Sequence, residues 1–290
     1  MKPGIKESLQ RVFRGFSREQ AAEHAGHRQV SPELFLCKPD FDFVERSLPR
    51  LRGWLFPEAA YMTCHLLRQQ TAWGIRGAGV EIGIYEGRYL ALIHRLLTER
   101  SDATIGIDTF QFISEKEVRG ALRTVLGPEA SALVFQKRNS ASIRPEELCD
   151  WAKGRPAVIS IDGDHGATAV TRDLTLAEDV LREGGLVVVD DFLNHFAVGV
   201  TEGVYAYLFE KKIKLVPCVF IGQKLFFCLP GDANRYRTAA FRFGQYGSIK
   251  SCVDFRDYLR RGISYVEPRI SGYQVVMFVS PRCDAASGAS

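Results

Sequence analysis

The stretch from Val158 to Asn194 constrains the fold most, because it predicts a strand, a helix and a second strand in that order. The strands are two short apolar runs, Val158–Ile161 and Leu186–Val189. Four apolar residues between them share one helical face: Val170, Leu174, Ala177 and Leu181. The pair Gly184-Gly185 is a helix stop. Because two strands joined through one helix form a crossover unit, we expect them to lie parallel and buried on both faces.

Polar residues follow both of these strands. Asp162, Asp164 and His165 come directly after the first strand, and Asp190 and Asp191 come directly after the second. Parallel strands end at the same edge of a sheet, and open α/β folds bind their ligands at that edge. We therefore expect these five side chains to surround one cleft.

The segments before and after this unit continue the alternation of strands and helices. Strands are predicted at 80–84, 104–107 and 133–136, each followed by a helix, and an antiparallel hairpin is predicted from 215–221 and 225–229 around Gly222. Alternation of this kind predicts an α/β fold with helices on both faces of the sheet. The expected architecture is doubly wound, with a mostly parallel seven-stranded sheet and a terminal antiparallel hairpin.

Three regions are expected along the 290 residues. Residues 57–230 form the main domain, 1–56 a helical N-terminal extension, and 231–290 a mixed C-terminal extension with a late strand at 273–279. Within the first region, 5–16 has the pattern of a basic amphipathic helix, and 17–20 matches a capping box. Such a helix packs on its own domain or on a second copy of the chain, which allows a homo-oligomer. Binding to a membrane surface is the alternative.

Composition excludes several classes of protein. No apolar run approaches eighteen residues, so we expect no membrane span, and the first residues lack the apolar core of a secretory signal. The seven cysteines are scattered without C-x-x-C spacing, which argues against a zinc site and favours a reducing cytoplasm. The net charge of +4 is mild, and no basic stripe interleaved with aromatic residues indicates a nucleic-acid partner.

A glycine turn follows the first predicted strand of the main domain. Gly79, Gly83 and Gly87 are four residues apart, which fits neither a dinucleotide fingerprint nor a phosphate-binding Walker loop. The pattern G-x-E-x-G-x-x-x-G, with Asp108 at the end of the second strand, resembles class I S-adenosylmethionine-dependent methyltransferases. In that family glycines let the backbone approach the cofactor, and the acidic residue holds both ribose hydroxyls.

This resemblance implies a Rossmann-like fold and a set of residues that bind S-adenosylmethionine. The expected cofactor-binding residues are Gly79, Glu81, Gly83, Tyr85, Gly87, Asp108, Ser140 and Asp162. Ser140 is included with the weaker candidate Ser142, because both follow the third strand, where the family holds the adenine.

The opening stretch resembles a narrower branch of the family. The run IDGDH, followed by a helix, GG and VVVDDF, is similar to metal-dependent O-methyltransferases of sugars and macrolides. The resemblance implies that Asp162, Asp190 and Asp191 bind a divalent cation, Mg²⁺, and that His165 is the general base. Carboxylates converging at two strand ends repel one another, and Mg²⁺ prefers oxygen ligands. His195 is the rival base.

The function that we expect is methyl transfer from S-adenosylmethionine to a hydroxyl of a small molecule, such as a sugar or a glycosylated metabolite. One alternative is a metal-independent methyltransferase acting on nitrogen or another small acceptor. Another is a non-catalytic scaffold protein that binds the cofactor and a partner. Retained turnover in chelator would favour the first alternative, and cofactor binding without turnover would favour the second.

Overall fold

A parallel sheet lies at the centre of the protein in this computed structural model, which describes residues 37–210, 212–260 and 268–278. The strands are β1 Gly79–Ile82, β2 Thr104–Asp108, β3 Leu133–Lys137, β4 Val158–Ile161, β5 Leu186–Val189, β6 Val216–Ile221, β7 Lys224–Cys228, β8 Arg269–Ile270, β9 Tyr273–Gln274 and β10 Val276–Phe278. Eight of them form one sheet in the order β10-β6-β7-β5-β4-β1-β2-β3, and β8 pairs with β9 separately.

Strand β7 is antiparallel to both of its neighbours, β5 and β6, and the other pairs in this sheet are parallel. The predicted doubly wound sheet with a terminal hairpin is thus confirmed. The late strand predicted at 273–279 contains β10, which pairs with β6 and adds an eighth strand to the predicted seven.

Nine α-helices surround the sheet in the described part of the chain. They are α1 Lys38–Asp42, α2 Pro57–Ala72, α3 Arg88–Thr98, α4 Glu115–Leu126, α5 Pro145–Trp151, α6 Ala167–Val180, α7 Val198–Leu208, α8 Ala233–Tyr246 and α9 Lys250–Arg260. Residues of α2, α3, α4 and α8 share one buried apolar cluster, and those of α5, α6 and α7 share the other. The helices therefore cover both faces, as the alternation predicts.

Local sequence accounts for several of these boundaries. Ser114 accepts a hydrogen bond from the Glu117 N–H, and the Glu117 carboxylate accepts one from the Ser114 N–H, so a capping box begins α4. Helices α2 and α5 each have proline in the first turn. Backbone N–H groups there have no partner within the helix, so the N–H that proline lacks is not needed. Strands β4 and β5 are buried throughout, as expected for central parallel strands.

The C-terminal extension contains two helices, α8 and α9, that sequence patterning did not predict. Tyr236 and Phe243 of α8 belong to the same apolar cluster as α2, so this part of the chain packs on the main sheet. The boundary at residue 230 remains a prediction. The predicted helix at 5–16, the capping box at 17–20 and any dimer through them lie outside the described residues.

No helix within the described ranges has the length and apolar character needed to cross a membrane.

Candidate functional site

Strands β4 and β5 bring two acidic loops together at the carboxyl edge of the sheet. Their last residues, Ile161 and Val189, are direct partners in the parallel ladder. Just beyond them, Asp162, His165 and Asp191 place one potential ligand atom each within 4.8 Å of one another. The Nε2 atom of His165 is 3.3 Å from Asp191 Oδ2 and 3.8 Å from Asp162 Oδ1. Three of the five side chains expected at this edge, Asp162, His165 and Asp191, therefore converge, and they form an acidic cluster.

Asp190, the third predicted metal ligand, is engaged elsewhere. Its Oδ2 atom lies 2.6 Å from the Nζ atom of Lys224, whose side chain is 1% exposed, and its Oδ1 accepts the N–H of Asp191. Lys224 begins β7 and also lies over the ring of Tyr89, 3.9 Å from the ring centre. Asp190 thus belongs to a buried ion pair behind the acidic cluster and is not one of its three converging side chains.

Charge repulsion is strong in this part of the molecule. Glu81 on β1 is 1% exposed, and burial together with the nearby Asp162 holds the pKa of its carboxyl well above the usual range. Burial and the charge of Asp190 also raise the pKa of Asp162. The Asp162 carboxylate in turn raises the pKa of His165. Carboxylates that resist ionisation together, in a cleft, are typical of a functional site.

The loop after β5 holds Asp191 in an uncommon backbone conformation. Asp191 has φ +58° and Leu193 has φ +63°, in the left-handed region that bulky residues rarely adopt. The Asn194 amide donates to Asp191 Oδ1 over 2.7 Å, and the Leu193 N–H donates to Thr201 Oγ1 over 2.9 Å. These bonds fix the direction of the Asp191 side chain, and strain of this kind is concentrated at functional sites.

The three glycines of the predicted turn lie at two different ends of β1. A Cβ atom on Gly83 would overlap the carbonyl of Asp162, and Gly83 and Gly87 have φ +81° and +85°. Only glycine lets the β1 turn come this close to the end of β4. Gly79 instead begins β1, at the opposite end of the strand, where it packs against Ile93 and Leu97 of α3. The predicted cofactor contact of Gly79 is therefore corrected to a packing role.

Asp108 ends β2 and accepts hydrogen bonds from backbone N–H groups of the glycine turn. Its Oδ2 atom accepts the N–H groups of Ile84 at 2.7 Å and Tyr85 at 3.3 Å, and its Oδ1 accepts the N–H of Phe110 at 2.7 Å. A carboxylate has about four acceptor positions, and these bonds take three of them, so one position remains for a ribose hydroxyl. Asp108 therefore shapes the turn and can also bind a ligand there.

The remaining predicted residues lie around the same edge. Ser140 lies in a single helical turn, Ser140–Ser142, directly after β3. Tyr85 is partly exposed at φ +51°, and its ring centre is 6.3 Å from that of Trp54. His195 is exposed and packs on the ring of Phe196. The rival histidine is thus not among the converging side chains of the acidic cluster.

Sequence reasoning missed three features of this region. Lys224 begins an apolar strand, and Asp173 lies on the apolar face of α6 between Val170 and Leu174. In both cases the sequence signal was a charged residue among apolar residues that are expected to be buried. The third feature is the pairing of Glu86 with Arg52, whose Nε atom is 2.8 Å from Glu86 Oε1. This pair fastens the segment before α2 to the glycine turn, and no sequence pattern indicated it.

Part of the chain, including this site, matches a known family model. Residues 80–192 match the family model described as a methyltransferase domain. That range runs from β1 through the glycine turn, Asp108, Asp162 and His165 to the residue after Asp191. No curated protein matches the sequence.

Among solved structures, the O-methyltransferase NovP is 17% identical with a TM-score of 0.49, over 59% of this chain and 80% of its own. The TDP-rhamnose 3'-O-methyltransferase CalS11 of calicheamicin biosynthesis is 16% identical with a TM-score of 0.49, over 80% of this chain and 96% of its own. The O-methyltransferase TomG from Streptomyces achromogenes is 14% identical with a TM-score of 0.46, over 69% and 88%.

The family match covers Gly83, Gly87, Asp108 and the run that begins at Ile161, and it confirms the resemblance to methyltransferases. Residues 80–192 of this chain therefore match a methyltransferase domain.

Proposed function

We propose that this enzyme transfers a methyl group from S-adenosylmethionine to a hydroxyl of a small molecule, with the help of a divalent cation. The observation that carries the proposal is the convergence of Asp162, His165 and Asp191 within 4.8 Å. The family match supplies the methyl-transfer chemistry, and this cluster supplies the groups that an alcohol needs to become a nucleophile.

The residues of the cluster fit a divalent cation. Asp162 and Asp191 offer carboxylate oxygens, which suit Mg²⁺ and Mn²⁺. Burial is the main cause that raises the pKa of Asp162, and the charges of Asp190 and Asp191 raise it further. Mg²⁺ is the ion that we propose, with Asp162 and Asp191 as ligands. A bound cation would stabilise the alkoxide that develops on the acceptor. Asp190 would not bind the cation, because it pairs with Lys224.

His165 is the general base of this proposal. Its side chain is half exposed, so an acceptor hydroxyl can reach Nε2, which lies 3.3 Å from Asp191 Oδ2. A base must come within about 2.6–3.2 Å of the proton that it removes, or act through one water. Because Asp162 raises the pKa of the imidazole, His165 is a stronger base than free histidine and needs a higher pH to be neutral.

The cofactor would lie across the carboxyl ends of β1 and β2. The glycine turn around Gly83 would accept the methionine part, and Asp108 would accept a hydrogen bond from a ribose hydroxyl. Ser140 would lie near the adenine. This arrangement would direct the sulfonium methyl group toward the acidic cluster, where much of the rate would come from alignment of the two reactants.

A sugar or glycosylated metabolite is the acceptor that we propose, on the resemblance of the IDGDH and VVVDDF runs to sugar O-methyltransferases. Exposed aromatic side chains at this edge, Trp54 at 89% and Phe196 at 87%, could cover the apolar face of a sugar ring. A cytoplasmic location and a homo-oligomer through the N-terminal helices remain predictions.

One observation favours a second candidate, a methyltransferase that needs no metal. Lys224 already places a cation 2.6 Å from Asp190, among the carboxylates that a metal would neutralise. In that case Lys224 would balance the charge, and His165 would act with Asp162 and Asp191 alone. The two candidates differ in their response to a chelator.

Methyl transfer from labelled S-adenosylmethionine to a panel of hydroxylated acceptors tests the proposal. With Mg²⁺ present we expect turnover on at least one acceptor, and we expect a chelator to abolish it. Asp191→Asn should reduce turnover and weaken activation by Mg²⁺. The matched control is Asp179→Asn on α6, because the Asp179 side chain is exposed and its one ion pair within the described residues is with surface Lys214 at 2.8 Å. Full activity in excess chelator would instead establish the metal-independent candidate.

A further inference from the structure

Lys224 carries a positive charge that is buried close to the acidic cluster. Its side chain is 1% exposed, and its Nζ atom lies 2.6 Å from Asp190 Oδ2. Strand β7 pairs antiparallel with β5 up to the partners Leu225 and Val189, so the next residue on each strand brings Lys224 opposite Asp190. The fold itself therefore sets this ion pair, and Asp190 immediately precedes Asp191 of the cluster.

The surroundings of the ammonium group hold it in place. Its Nζ atom lies 3.9 Å from the centre of the Tyr89 ring, and the Tyr89 hydroxyl is hydrogen-bonded to Thr63 Oγ1 at 2.8 Å. Burial lowers the pKa of the Lys224 amine, but the charges of Asp190 and Asp162 raise it by more, so the amine stays protonated. Because the group is enclosed, its positive charge cannot move into solvent.

This charge acts on the same carboxylates that a divalent cation would use. Burial raises the pKa of Asp162, and the charge of Lys224 opposes that rise, so the two groups interact. A cation bound between Asp162 and Asp191 would be repelled by Lys224, because like charges repel strongly in a poorly solvated region. Asp190 would be a third carboxylate ligand at this edge if the lysine did not hold it. Both effects lower the attraction of the site for a cation.

We infer that Lys224 is a positioning residue, which withholds Asp190 from the divalent cation and lowers the affinity of the site for that ion. The inference rests on the proposed function, in which Asp162 and Asp191 bind the cation. Calcium-binding loops show how strongly affinity follows the number of charged ligands. A cation held by two carboxylates keeps a further coordination position for the acceptor oxygen, whose proton it makes easier to remove. Lys224 thereby reserves that position for the acceptor.

Titration with Mn²⁺, followed by electron paramagnetic resonance with no acceptor present, tests the inference. We expect Lys224→Met to bind Mn²⁺ roughly tenfold or more tightly than the wild type, because a charge within a few ångströms shifts such equilibria by at least that factor. Damage to the structure alone would not tighten binding. Lys250→Met is the matched control and should keep the wild-type affinity, because Lys250 pairs with Asp254 over 2.9 Å at the surface.

A double variant, Lys224→Met with Asp190→Asn, tests the part played by Asp190. The higher affinity requires the carboxylate that the lysine releases, so we expect the double variant to return to within about threefold of the wild type. It has neither charge of the buried pair, so it should fold even where Lys224→Met, with an unpaired Asp190, does not. Thermal unfolding checks that each variant is folded.

Equal or weaker binding of Mn²⁺ to a folded Lys224→Met variant would overturn the inference. So would a double variant that binds roughly tenfold more weakly than the wild type, because Asp190 would then be a ligand already. If Lys224→Met does not fold, the double variant decides alone. Binding to Lys224→Met but not to the wild type would support the inference and favour the metal-independent candidate. No binding to any of these proteins would overturn the proposed cation site together with the inference.

Discussion

Of the four histidines that the structure describes, His165 has the best position to remove the proton of an acceptor. We predict that His165→Ala lowers kcat by roughly 10²–10⁴-fold, the usual loss for a general base. Because Asp162 raises the pKa of His165, the wild-type rate should increase with pH and level off above the ordinary histidine value of about 6.5. Steady-state kinetics across pH checks this, and the rising limb should be absent from the variant.

His195→Ala is the matched control for this prediction. Its ring packs on Phe196 in an exposed loop, outside the acidic cluster. We expect that variant to keep the rising limb. The opposite result, with the rising limb lost in His195→Ala and kept in His165→Ala, would show that His195 is the base.

Asp108 has two tasks, and its replacement should affect both. We predict that Asp108→Ala weakens binding of S-adenosylhomocysteine by roughly 1.5–3 kcal/mol, since a charged hydrogen bond to the ribose is lost. The variant also loses the bonds to the N–H groups of Ile84 and Phe110, both 2.7 Å long. Calorimetry measures the affinity, and wild-type affinity in the variant would rule out a ribose contact. Asp150→Ala, on α5, is a surface control.

At the scale of single residues, the sequence predicted the contacts of residues that lie close together in the chain. Asp162 and His165 share one loop, and the parallel crossover places Asp191 beside them, so their convergence was predictable. The pairing of Asp190 with Lys224 was not, because it depends on which strand lies next to β5. The role of Gly79 was misjudged because the regular spacing of the three glycines was given more weight than the predicted strand at 80–84, which already places Gly79 at its start.

At the scale of elements, β7 contributes a positive charge to a sheet whose buried charged groups are otherwise carboxylates among the described residues. Lys224 on this strand faces Asp190 after β5 and lies near Glu81 on β1 and Asp162 after β4. One lysine thus offsets carboxylates from three strands. Removing it would leave those carboxylates buried and uncompensated.

We therefore predict that Lys224→Met lowers the free energy of unfolding by about 3–5 kcal/mol, the usual effect of breaking a buried ion pair. Urea unfolding measures this quantity. Lys250→Met is the control, because Lys250 pairs with Asp254 at the surface and such pairs contribute about 0–1 kcal/mol. Equal stability losses in the two variants would contradict a special role for Lys224.

Patterning predicted most of the elements that position the site. Strands β4 and β5 have the predicted bounds, because each is a continuous apolar run that ends at polar residues. Helix α8 was missed although Ala233, Tyr236, Ala240 and Phe243 share a buried face. Its many polar and small residues weakened a helical period that was present.

At the scale of the molecule, the sheet order places all of the candidate chemistry at one edge. Strand β1 lies between β4 and β2, so the glycine turn is flanked by the acidic loop on one side and by Asp108 on the other. A cofactor on β1 and β2 and an acceptor beside β4 and β5 would therefore meet above β1 and β4. Alternation of strands and helices predicted this edge, whereas the eighth strand required a long-range pairing of β10 with β6.

The central claim is that a divalent cation binds between Asp162 and Asp191, and Mn²⁺ tests it directly as a paramagnetic substitute for Mg²⁺. Titration of the protein with Mn²⁺, followed by electron paramagnetic resonance in the presence of S-adenosylhomocysteine, measures the number of bound ions without an acceptor. We predict one ion per chain in the wild type and in Asp179→Asn, displaced by Mg²⁺, and at least tenfold weaker binding in Asp191→Asn. No bound ion in the wild type, or equal binding in Asp191→Asn, would contradict the claim.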